Sequence, residues 1–261
     1  MSGTGQDFTR ELLKQLFIGH YAPYRLKQEL LPPRSDEELA ALDAMEPRMR
    51  ALVNAVDEQR AKKPETGMIL AGDEILSHLL QMLRTEKGVH AETLLAILGA
   101  AGGAALSKAI TKTAEVFGSE KVLPVIGCMV AETTTGEKYL MGDFPGNEFC
   151  SFCMTAAASP EPPYALLKPI SAACAGSCGK PAYWDTPFFN SVRRTPLELA
   201  QKTDGIFDPV FAVYTRFPHE RPMAFAIAAQ KAIKQLGTVL PKETALAILA
   251  EYGWRTSHYI G

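Results

Sequence analysis

The amino-acid sequence predicts an α+β fold that is mostly helical, with a long buried central helix over residues 89–117. A small antiparallel sheet completes it, made of a hairpin at about 122–142 and a strand at about 209–215. Three observations carry this prediction. Residues 89–117 form the longest helix-like run free of proline, with Leu94, Leu95, Ile97, Leu98, Leu106, Ile110, Ala114 and Phe117 spaced by threes and fours along one stripe. Residues 122–130 are rich in β-branched side chains, and Thr133 to Glu137 supply a glycine-containing turn before a second apolar run. Elsewhere, hydroxyl caps and prolines repeatedly mark helix starts.

In chain order, Phe8, Leu12, Leu13, Leu16 and Phe17 trace a helix face, and a second short helix over 21–31 stops at Pro32 and Pro33. Ser35 and Glu38 form a capping box, opening a helix over 36–45 that Pro47 divides from another over 47–62. Asp73 caps a helix carrying Ile75, Leu76, Leu79 and Leu83. In the central helix, Gly99, Gly102 and Gly103 nearly abolish the side-chain surface. Each glycine costs roughly 1 kcal/mol against alanine in a helix interior, so another backbone is expected to come close there. The spacing suits either tight intrachain packing or a self-complementary seam in a homo-oligomer. It also matches a membrane helix-dimer pattern, but the uncharged window 93–107 is shorter than the roughly 20 residues a span needs.

After the hairpin come helices over 148–158 and 164–175, a loop over 176–188, and a helix begun by Thr195, Pro196 and Glu198. The run 209–215 reads as a short strand buried on both faces, because it is short and continuously apolar. Two helices, 222–236 and 241–252, close the chain, each begun by proline. A helical half, 1–118, and an α+β half, 119–261, are expected to share the central helix in one unit.

Composition narrows the function classes. At 47% hydrophobic over 261 residues the chain can bury a full core. A net charge of −2 gives no global cationic field, so nucleic acid is not an expected partner, and neither is a membrane. No basic segment followed by a long apolar core stands near Met1, and the five cysteines are odd in number, so a reducing cytoplasm is expected.

Cys150, Cys153, Cys174 and Cys178 come in two close pairs, the way a tetrahedral zinc site is built. Phe149, Phe152 and Met154 around the first pair suit a packed core instead, so zinc stands as an alternative and no metal ligand is assigned. Gly179 and Lys180 echo a phosphate-binding loop, but Cys174 stands where its first glycine belongs and Pro181 where its hydroxyl belongs. His20, His78, His90 and His258 form no i, i+4 pair; no catalytic residue and no cofactor is assigned.

The feature that points to a ligand is basic. Arg193 and Arg194 precede the Thr195 cap, and Arg216, His219 and Arg221 precede or flank Pro222. Cations at the positive end of a helix dipole cost roughly 0.3–1 kcal/mol each, so something acidic must offset them. Surface pairing with Glu198, Asp204, Asp208 or Glu220 would suffice. The functional alternative is a pocket for a small anionic ligand formed by Arg193, Arg194, Arg216 and Arg221, with Tyr214 and His219 orienting or protonating it. A binding protein of that kind is the leading expectation, beside a zinc-stabilised domain and an enzyme without a local motif.

Overall fold

The structure is a computed structural model that describes residues 34–63, 65–120, 123, 128–141, 164–218 and 220–261. The helices expected over 8–17, 21–31 and 148–158 lie outside the described residues, as do Cys150, Cys153 and His219.

The expected capping box opens α1 (Asp36–Asp43): Glu38 N–H donates to Ser35 Oγ at 3.2 Å, and Ser35 N–H to Glu38 Oε2 at 2.8 Å. Pro47 starts α2 (Pro47–Arg60) as a separate helix. Helix α3 (Thr66–Met82) begins well before the predicted cap at Asp73, whose carboxylate instead bonds Lys231. Its early turns accept Gly67 and Gly72 because neighbours crowd both: a Cβ on Gly72 would sit 2.9 Å from Ala224 O. Glycine here marks close packing, so it does not delay the helix.

The central helix is α4 (Ala91–Phe117), capped by His90 Nδ1, which accepts from Thr93 N–H. Leu94, Leu95, Ile97, Leu98, Leu106, Ile110 and Ala114 are all buried, as the spacing predicts. Its first half belongs to the main core; in its second half Leu106, Ile110 and Ala114 join Cys128 and Leu140 in a smaller one. Residues Ala91–Glu115, two lysines included, are long and apolar enough by composition to cross a membrane, yet 78% of their most apolar window is buried inside the protein.

Strands β1 (Met129–Glu132) and β2 (Lys138–Met141) form a hairpin about the predicted turn, in antiparallel register Met129↔Met141 through Glu132↔Lys138, but its first strand starts later than the predicted 122, and Leu123 is helical. Gly136 turns it with φ 86°. The third partner is not 209–215. Instead Tyr259 bridges Tyr139, and Ile260 N–H donates to Lys138 O at 3.0 Å along the free edge of β2.

Helix α5 (Tyr164–Ser177) runs to a 3₁₀ turn at Pro181–Trp184, then to the one-turn α6 (Phe189–Val192) and α7 (Pro196–Thr203), whose Thr195/Glu198 capping box forms as predicted. The segment expected as a strand at 209–215 is α8 (Asp208–Tyr214). Pro209 stands in its first turn, and Val210, Phe211 and Val213 lie on its buried side, so the apolar run is a helix buried on one face rather than a strand buried on two. Helices α9 (Glu220–Leu236) and α10 (Lys242–His258) follow, and α10 runs past the predicted end at Tyr252. Gly253 does not stop it, because that glycine faces α4.

The glycine seam of α4 receives α10. A Cβ on Gly99 would lie 2.6 Å from Leu249 O and 3.2 Å from Gly253 N, and one on Gly103 would strike Gly253 O and Thr256 Oγ1. The approach anticipated from the glycines is therefore intrachain, backbone against backbone. Helix α9 also packs on α4 and covers α3.

Candidate functional site

The face of α4 turned away from α10 floors a groove. At about 100° per residue, Ala101, Ala104, Lys108 and Lys112 point opposite to Gly99, Gly103, Leu106 and Ile110. The end of α7, helix α8 and the start of α9 wall a cavity of about 340 Å³ over this floor. A second cavity, of about 560 Å³, adjoins it and shares Ala104, Lys108, Lys112, Asp204 and Arg221.

The turn between α8 and α9 carries Arg216, and a buried carboxylate holds that turn. Glu220, 1% exposed, accepts from Arg216 N–H at 2.6 Å and from Phe217 N–H at 3.0 Å through Oε2, while Oε1 accepts from Arg60 Nη2. Arg60 is buried as well, and its Nε finds no partner among the described residues. Glu220 thus pairs with α2 and with backbone, not with the surface arginines beside it.

Those arginines are unequally satisfied. Arg221 lies 3.8 Å from Asp208 and over the Phe211 ring. Lys108 is bonded to Asp204 in the wall shared by the two cavities. Arg216 packs over Phe217, and among the described residues its guanidinium makes one long bond, 3.4 Å from Nη2 to Glu38 Oε2, and its buried Nε has no partner. Burial works to raise the Glu38 carboxyl, but the Ser35 N–H and Arg216 outweigh it and hold it below its usual value. Lys112 has no bonded partner among the described residues. Four cations face two carboxylates, Asp204 and Asp208, around the narrower cavity.

Of the residues singled out from sequence, the structure places Arg216 and Arg221 in this cavity wall. Arg193 and Arg194 line neither cavity. Arg193 ends α6 in a left-handed conformation, φ 58°, and Arg194 offers its carbonyl to Tyr252 OH at 2.9 Å. Tyr214 is half-buried against the core and lines neither cavity; burial first, then Glu74, raises its phenol. Lys108 and Lys112 were not anticipated. Their signal was present: they are the only charged residues of the central helix between Glu92 and Glu115, one turn apart on one face.

Around α10 lies a second polar cluster, fully buried. Arg255 pairs with Glu251 at 3.0 Å and donates to Tyr183 O, while Tyr183 OH donates to Arg255 O at 2.7 Å. Burial raises the Glu251 carboxyl against the pull of Arg255, and drives the Tyr183 phenol far up. Cys174 beside them is fully buried, its thiol pushed up to about 12 by burial, and Cys178 is raised by the same cause. Cys174 packs among apolar side chains of the main core. Among the described residues no three His, Cys, Asp or Glu side chains cluster as metal ligands.

Set against known proteins, the chain matches no family model, no curated protein and no solved structure.

Proposed function

We propose that this is a soluble cytoplasmic binding protein whose ligand is a small anion, seated between Arg216, Arg221 and Lys112. The observation that carries the reading is the poor pairing of two of these cations among the described residues: one long bond for Arg216, and none for Lys112. A guanidinium removed from water with its donors unfilled costs free energy that an oxyanion recovers through charge-assisted hydrogen bonds. The exposed pairs Lys108–Asp204 and Arg221–Asp208 do not compete strongly, since such pairs are worth at most about 1 kcal/mol.

Thermal unfolding with added inorganic phosphate or acetate tests the reading. A ligand at a hundred times its Kd adds roughly 2.7 kcal/mol, a rise of about 5–10 °C in Tm for a chain of this size. The double variant Lys112→Ala/Arg221→Ala, two changes on the rim, is expected to lose that rise. A rise of equal size in the variant removes the site.

A further inference from the structure

We infer that the groove takes an aromatic anion: a planar ring lying against Trp184 and Tyr259 in the wider cavity, with its phosphate or carboxylate reaching Lys112, Arg216 and Arg221 in the narrower one. The inference rests on the reading above and specifies its ligand. The two cavities share a floor and a wall, so one molecule can occupy both, and together they fall within the roughly 300–1,000 Å³ of small-molecule sites.

Their chemistry differs along the groove. Arg216 lines the narrower cavity alone, while Trp184, Tyr259, Leu197 and Ile260 line the wider one alone. Glu115 also stands at the wider end and repels a negative charge there, which fixes the direction in which an anion lies.

The aromatic wall is built rigidly. Trp184 meets Tyr183 edge-on at 4.8 Å and Tyr259 at 5.1 Å, and Tyr259 meets Tyr139 at 5.7 Å. Tyr183 is itself fixed by its hydroxyl bond to Arg255 O and by the Arg255 guanidinium on its carbonyl. The buried Glu251–Arg255 pair thereby has a role, since it holds the 3₁₀ turn that presents Trp184. A half-buried ring locked by its neighbours loses little freedom when a second ring stacks on it.

Tryptophan emission reports on this directly, because the chain has two tryptophans and the other, Trp254, is buried and stacked on His258. Phenyl phosphate titrated into the wild-type protein is expected to change the emission and to bind at least about tenfold tighter than inorganic phosphate, the ratio that about 1.4 kcal/mol of stacking gives. Trp184→Phe keeps a ring in place, so it should abolish the emission change while retaining the tighter binding; Trp184→Leu should bring phenyl phosphate down to the affinity of phosphate. Phosphate binding with no gain for phenyl phosphate overturns this inference and leaves the anion site standing. A gain that survives in Trp184→Leu places the ring elsewhere and also overturns it. Binding of neither probe brings down both readings.

Discussion

Helix α4 offers two faces made of the same small residues and put to opposite uses. On one, Gly99 and Gly103 remove side chains so that Leu249 and Gly253 of α10 can approach by backbone. On the other, Ala101, Ala104 and Ala105 keep the floor low while α7, α8 and α9 stand around it, and the space between them is the groove. The difference lies in what stands beyond the small residues. Leucine and isoleucine continue the closed face into a core, while Lys108 and Lys112 continue the open one and need water or an anion. Smallness alone therefore does not say whether a helix face is an interface or a site.

The sharpest way to break the comparison is to enlarge the closed face. Gly103→Val drives a branched side chain into the Gly253 carbonyl, and urea unfolding is expected to show a loss of more than about 4 kcal/mol, or no folded protein. On the open side the corresponding weak point is not the floor but the buried carboxylate of the turn. Glu220→Ala leaves Arg60 charged and unpaired, at a cost of roughly 3–4 kcal/mol. The turn bearing Arg216 then loses both backbone bonds, so phosphate affinity should fall as well.

Acid should act on the closed side first. His258, at the end of α10, is driven down to about 4 from 6.5 by burial, against the bond to Trp254 O. The unfolded chain then binds the extra proton between pH 6.5 and 4, so stability is full above 6.5 and falls as pH drops through that window. The loss is on the order of 3 kcal/mol. Measured by urea unfolding from pH 7 to 4, His258→Gln should flatten the fall; an unchanged slope would assign it to other groups.

Much of the closed side was legible in the sequence and little of the open side. Hydrophobic spacing identified the α4 stripe, and glycine clustering identified the close approach, because both are local patterns that tertiary contacts only confirm. Ser35/Glu38 and Thr195/Glu198 were legible for the same reason, since a capping box is complete within four residues. The errors came from glycine and from short apolar runs. Gly67 and Gly253 look like boundaries, but each faces or adjoins a crowded partner that makes the missing Cβ useful. The run Pro209 to Thr215 fits strand and helix equally by hydrophobicity, and its proline, one place after Asp208, was the overlooked helix start.

For the site, sequence reasoning found basic residues but not their grouping. Arg193 and Arg194 resemble Arg216 and Arg221 in pattern, yet their tasks are local, one a left-handed cap and the other a carbonyl for Tyr252. Lys108 and Lys112 arrive from a helix about a hundred residues away, a distance that only the fold closes. The Glu251–Arg255 pair was readable at i, i+4, though its burial was not.

The smallest expected effect on stability gives the most direct test. Ala104→Leu adds volume to the floor shared by both cavities while keeping a good helix former, so its urea midpoint should shift by less than the equivalent of about 1 kcal/mol. Isothermal titration of inorganic phosphate into this variant and the wild type asks whether the open face of α4 is the binding surface. The account predicts affinity at least about tenfold weaker in Ala104→Leu, a loss of roughly 1.4 kcal/mol. Equal affinity in the two proteins would contradict it.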